Sequence, residues 1–157
     1  MSFTATRRDL PHWEEPGGVY FVTWSTIRKR RLTPHERALA LDAIRHWDGI
    51  RWTLYAAVVM ADHAHVLVQP LRIPEKQPPA WYALGSIFHS IKSYSAHEIN
   101  RLRGQSGAVW QDEREDRIVR DEREFWEKWQ YIRDNPVKEA LVASPEEYAW
   151  FYQQGND

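Results

Sequence analysis

Apolar and polar residues are arranged along the chain in two periods, and the changes from one period to the other mark its elements. "GGVYFVTWST", Gly17 to Thr26, is rich in strand formers and predicts a strand. "TPHERALALDAIRHW" opens with Thr33 as N-cap, Pro34 at the first helical position and Glu36 completing a capping box; Leu39, Ala43 and Trp47 then recur at helical spacing. "RWTLYAAVVM" and "HAHVLVQP" flank a tight "ADH" turn and predict an antiparallel hairpin. Four prolines in "PLRIPEKQPPA" make residues 70–80 a loop. "WYALGSIFHSIKSYSAHEINRLRG" predicts a long helix closed by Gly104, with Leu84, Ile87, Ile91, Tyr94 and Ile99 as its apolar positions. "AVWQ" and "RIVR" read as short strands around an acidic turn. "DEREFWEKWQYIRD" reads as a helix started by Asp121 and stopped at Asn135-Pro136, and the tail "LVASPEEYAWFYQQ" as a capped turn carrying aromatics.

The order strand, helix, strand, strand, helix, strand, helix predicts an α+β fold. It is a ferredoxin-like split βαβ sandwich, an antiparallel sheet with helices packed on it, followed by an extra C-terminal helix. That fold hosts many functions and selects none. One domain over residues 1–157 is expected, with an N-terminal arm at 1–17 and a C-terminal tail at 137–157.

Composition narrows the classes. The 157 residues include nine Trp and seven Tyr, side chains that fill cores and also stack on unpaired bases. Cysteine is absent, so any metal must be held by His, carboxylate or amide groups. No stretch approaches the roughly 18 apolar residues of a membrane helix, and the N-terminus has no apolar leader; a cytoplasmic location is the expectation. The net charge of −1 argues against a protein that coats duplex nucleic acid, but the charge is uneven. Arg28, Lys29, Arg30 and Arg31 form a basic run, whereas Asp112 to Glu127 sets eight acids against four arginines. The basic run reads equally as a solvated loop or as a local basic surface.

Candidate chemistry starts at "MADHAHVLVQ". In a strand, residues i and i+2 share a face, so His63 and His65 are neighbours about 6–7 Å apart at the Cα level and able to meet one cation. Ala64, Val66 and Val68 make the opposite, apolar face. A hydrogen-bonded or solvent-facing histidine pair satisfies the same pattern. On the last helix, Phe125, Trp129 and Ile132 form the core stripe, and Tyr131 lies more than about 100° from its centre. Asn135 follows four residues later on Tyr131's own side. Alone, Tyr131 is a surface aromatic and Asn135 a helix stop. Taken together, a hydroxyl nucleophile, an amide oxygen and two imidazoles suit phosphodiester cleavage with a divalent cation.

These residues resemble the HUH single-tyrosine transposases and, within them, the REP-associated tyrosine transposases of bacteria. The matching pieces are "YFVTWST", the histidine pair in "MADHAHVLVQP", "SIKSYSAHEINR", "VWQDEREDRIVRDEREF" and above all "YIRDNPVKEALVASPEEYAW". They run in the family's order from about Tyr20 to Trp150. The resemblance implies Mg²⁺ or Mn²⁺ bound by His63 and His65, Tyr131 as nucleophile and Asn135 as a third metal ligand. It implies cleavage and joining of single-stranded DNA bearing a hairpin of the repetitive extragenic palindrome kind, through a 5′-phosphotyrosine and a free 3′-OH, by a monomer or a homodimer. Arg28, Lys29, Arg30, Arg31 and Lys92 are the candidate DNA-binding cations. The chain departs from the family at Ala64 between the histidines, at Asp62 where Asn or Glu is more usual, and at the acidic "DEREDR" after "VWQ". Two other readings stay open: a ferredoxin-like module that grips nucleic acid without cutting it, and a metal-dependent phosphohydrolase that uses water.

Overall fold

The computed structural model describes residues 16–155 in full and the backbone of residues 5–6; most of the expected N-terminal arm therefore lies outside the described residues. Its elements are β1 (Ala5–Thr6), β2 (Tyr20–Ser25), α1 (Pro34–His46), β3 (Trp52–Val59), β4 (His63–Pro70), α2 (Leu84–Arg103), β5 (Glu115–Ile118), α3 (Glu122–Lys138) and β6 (Phe151–Gln153). The strands form one sheet in the order β1-β5-β2-β4-β3-β6, with every neighbouring pair antiparallel. Strands β2, β3, β4 and β5 with α1 and α2 make the expected split βαβ sandwich.

Strand alternation divides the molecule into two layers. One face of the sheet presents Tyr20, Val22, Trp24, Leu54, Ala64, Val66 and Val68 to α1 and α2, and these side chains form the larger apolar core with Ile44, Phe88 and Ile91. The other face presents Ala56, Val58, Met60 and Leu67 to Ile132 of α3, in a smaller core that Phe125 and Trp129 flank. The apolar face expected of Ala64, Val66 and Val68 and the core stripe expected of α3 are both present.

Local signals hold where they were strongest. Thr33 Oγ1 accepts from the Glu36 N–H while Glu36 Oε1 accepts from the Thr33 N–H, which is the expected capping box. Gly104 closes α2 in the left-handed region, at φ 64°, where a side chain would be strained. The hairpin turn is closed by the Met60 N–H on the His63 carbonyl at 2.8 Å.

Four expectations need correction. Helix α3 does not stop at Asn135-Pro136 but runs through them to Lys138. The ring of Pro136 is buried, and so are Ile132 and Asn135; packing one helical face outweighs the loss of a single N–H donor. Strand β5 is Glu115–Ile118 rather than "RIVR", because Ile118 pairs with Tyr20 and Glu115 with Thr23, while the Arg120 N–H is taken by Glu124 at the start of α3. "AVWQ" contributes only a bridge from Trp110 to Thr26. Tyr94, taken as an apolar core position of α2, is exposed. Within the tail the structure adds β6, an edge strand on β3 that the turn signals concealed.

Candidate active site

The register of β2 against β4 builds the site. Thr23 lies opposite His65, Ser25 opposite His63 and Phe21 opposite Leu67, so these side chains share the face toward α3. His63 and His65 meet edge to face with ring centroids 4.9 Å apart. His65 is 5 % exposed and stacks on Phe21 at 5.5 Å. Tyr131 of α3 closes over them, its ring 5.2 Å from His65 and 5.8 Å from Phe21, both edge to face. Its other side remains open to solvent. A phenol about seventy residues further along the chain is thus brought against the histidine pair.

Each imidazole is anchored through Nδ1. Asp62 Oδ1 lies 2.7 Å from His63 Nδ1, and because a carboxylate only accepts, the proton of neutral His63 sits on Nδ1 and the Nε2 lone pair is free. His65 Nδ1 lies 2.7 Å from the Thr23 hydroxyl. Its Nε2 is buried without a partner, and so is the Asn135 side-chain oxygen. Buried polar atoms are usually satisfied; these two, one on the ring against Tyr131 and one a helical turn after it, are both atoms able to ligate a metal. The Glu139 carboxylate adds an acceptor at the mouth, 4.0 Å from His63 Nε2.

Electrostatics keep His65 in the ligating form. Burial, with the charges of His63 and Lys128, pushes His65 down to about 3, so its ring is neutral at ordinary pH. Burial raises the Asp62 carboxyl, but the hydrogen bond from His63 and the charges of His63, Lys29 and Arg31 outweigh it and leave the group below its usual range. Among the described residues no three His, Asp or Glu side chains make a metal site by themselves. A cation at the pair therefore needs a ligand of another kind, and the amide oxygen of Asn135 has that chemistry. The donor set of two imidazoles and one amide oxygen fits a divalent ion.

The candidate cations fall in two places. Arg28, Lys29 and Arg31 are exposed on the turn after β2, where Lys29 and Arg31 act on Asp62; Arg30 is tied to Gln105 at 2.9 Å. Lys92 is on α2, behind the sheet from the histidines, and its ammonium donates to the carbonyls of Gln111 at 2.9 Å and Asp112 at 3.0 Å. Burial lowers it to about 8. The residues that sequence reasoning missed are Thr23, Phe21, Glu139 and Lys128. The first two were signalled by "YFVTWST" once its register against "HAHVLVQ" is known; Glu139 and Lys128 needed the path of α3.

No protein-family model and no curated protein sequence matches the chain. Among solved structures, it is similar to a REP-associated tyrosine transposase bound to a REP hairpin, with TM-score 0.70 and 20% identity over 92% of this chain and 82% of that one. It is also matched to a structure from Deinococcus radiodurans R1 assigned as a transposase, with TM-score 0.48 and 18% identity over 80% of this chain and 96% of that one. At 20% identity the likeness speaks for the fold, and this chain has the α+β fold of the REP-associated tyrosine transposase.

Proposed function

We propose that the protein is an HUH single-tyrosine transposase of the REP-associated type, cutting and rejoining single-stranded DNA next to a hairpin. The observation that carries this reading is the convergence of Tyr131 on the histidine pair, with two buried atoms able to ligate a metal and lacking a partner, His65 Nε2 and Asn135 Oδ1. His63, His65 and Asn135 would hold Mg²⁺ or Mn²⁺. When bound, such an ion supplies Lewis-acid polarisation of a phosphate oxygen. The fold is shared with a protein whose structure contains a REP hairpin, which supports a hairpin substrate here.

The chain's own residues do the rest. Asp62 fixes the tautomer of His63 through Nδ1, and Thr23 holds the tilt of His65 through its own Nδ1. Phe21 backs His65 and sets the plane against which Tyr131 rests. The Tyr131 oxygen attacks the phosphorus and forms a new P–O bond while the P–O3′ bond breaks. The proton lost by the phenol is balanced by one gained at the 3′-oxygen, leaving a 5′-phosphotyrosine and a free 3′-OH. The ester keeps the energy of the broken bond, so rejoining needs no nucleotide cofactor.

A pool of single strands, each bearing a stem-loop with randomised flanks, incubated with the protein and Mn²⁺ tests this. Covalent protein–DNA species that Tyr131→Phe abolishes are expected. Binding without such species supports the non-catalytic module, and cleavage retained by Tyr131→Phe supports hydrolysis by water.

A further inference from the structure

Helix α3 carries four cations, and they divide cleanly. Both arginines are matched to carboxylates, Arg123 to Glu127 at 3.6 Å and Arg133 to Glu146. Neither lysine makes an ion pair among the described residues. Each lies over an aromatic ring instead: Lys128 Nζ is 5.0 Å from the centre of Phe21, and Lys138 Nζ is 5.9 Å from the centre of Tyr131. Those are the two rings that surround His65.

Their spacing follows from the helix. Lys128 is three residues before Tyr131 and Lys138 seven after it, so at 100° per residue both fall within about 60° of the phenol's direction. At 1.5 Å per residue they stand about 15 Å apart along the axis, with the phenol between them. Lys138 and Tyr131 line one shallow groove of about 690 Å³ on the outer side of α3, with the exposed indole of Trp126 further along it. Lys128 is close enough for its charge to act on His65. An ammonium over a ring gains cation–π attraction yet keeps its N–H donors for another acceptor.

From this arrangement we infer that Lys128 and Lys138 are positioning residues that grip the phosphates on either side of the one attacked, laying a single strand along α3 across Tyr131. The inference rests on the proposed strand-cleaving function and adds the path of the DNA. It also accounts for how a protein of net charge −1, whose acidic segment runs into the start of α3, holds a polyanion there. Lys138 shares the groove with Glu127 and Asp134 but makes no ion pair with either among the described residues, so its charge stays available to a phosphate.

The test is binding of a fluorescein-labelled oligothymidylate to the full chain in EDTA, by anisotropy, across a range of salt concentrations. Each phosphate contact on a single strand contributes about 0.7 to the slope of log K against log salt. Lys128→Ala and Lys138→Ala should each reduce the slope by about 0.7 and the double variant by about 1.4, with Lys128→Arg and Lys138→Arg restoring it. Lys76→Ala, an exposed lysine in the proline-rich loop, should leave the slope unchanged. Unaltered slopes in the α3 variants, an equal fall in Lys76→Ala, or no binding at low salt would each overturn the inference. Lost slope without any Tyr131 adduct would sink the enzymatic reading and leave the grip standing; an adduct with unaltered slopes would do the reverse.

Discussion

At the scale of single residues, the site is governed by what holds each imidazole. His65 donates nothing to solvent; its orientation comes from Thr23 on one edge and Phe21 on one face. Thr23→Val keeps the shape but removes the Nδ1 partner, and should weaken Mn²⁺ binding about 10- to 100-fold, read by calorimetry in the absence of DNA. Affinity within twofold of the parent would remove Thr23 from the positioning role. The depressed His65 also makes a statement about stability. In the unfolded chain this ring takes up a proton below its ordinary value near 6.5, whereas the folded protein resists until about 3. The unfolded state therefore binds more protons throughout that window, and stability falls as pH drops through it, by about 2 kcal/mol at pH 5. His65→Phe should flatten the decline between pH 7 and pH 4 in thermal melts; an unchanged decline would assign the acid sensitivity elsewhere. The shared face of the histidine pair and the side of α3 that carries Tyr131 and Asn135 were legible because spacing gives faces, whereas the roles expected of them came from the family resemblance. Thr23 was not, since a cross-strand partner depends on register, which no single strand specifies.

At the scale of elements, α1 and α3 begin on side-chain caps, Thr33 with Glu36 and Asp121 respectively. Glu36 caps α1 and also receives Arg103 from the end of α2, so a buried carboxylate ties two helices together. Its burial raises the group, and the hydrogen bonds from Arg103 and Thr33 together with the Arg103 charge outweigh that, with a net lowering. Glu36→Ala removes both the capping-box carboxylate and the ion pair of Arg103, which keeps only the Arg31 carbonyl, and should cost about 1.5–3 kcal/mol in urea unfolding. Asp121→Ala, which removes only the side-chain cap at the α3 N–H of Glu124, should cost about 1 kcal/mol. Equal losses would mean the Glu36–Arg103 pair adds nothing beyond capping. The capping box and Gly104 were readable because they are local. The end of α3 was not: a proline after Asn135 signals a stop, yet the buried faces of Ile132, Asn135 and Pro136 carry the helix onward to Lys138. That continuation sets Lys138 beside Tyr131 and brings Glu139, the residue just past the helix, to the mouth of the site. Strand β5 slipped for a similar reason, its bounds being set by β2 rather than by its own composition.

At the scale of the molecule, the sheet separates stability from chemistry. The larger core lies under α1 and α2, and the site faces α3 across the smaller one. Helix α3 is kept there by the tail: Tyr148 donates to the Val59 carbonyl at 2.7 Å, Glu146 pairs with Arg133, and β6 extends the sheet beyond β3. A chain ending at Ala140 should retain the larger core but show faster amide exchange throughout α3, with β2 and β4 still protected. Uniform loss of protection would mean the tail supports the whole fold. The strand order was legible as an α+β sandwich, whereas the sixth strand was hidden in a segment that reads as a turn. The central claim, that Tyr131 is the nucleophile at a histidine-held divalent ion, is tested most directly by peptide mass spectrometry after reaction with stem-loop single strands and Mn²⁺. The account predicts a nucleotide adduct on the peptide carrying Tyr131, absent in Tyr131→Phe and in His65→Ala. Cleaved DNA with an unmodified Tyr131, or an adduct on any other residue, would contradict it.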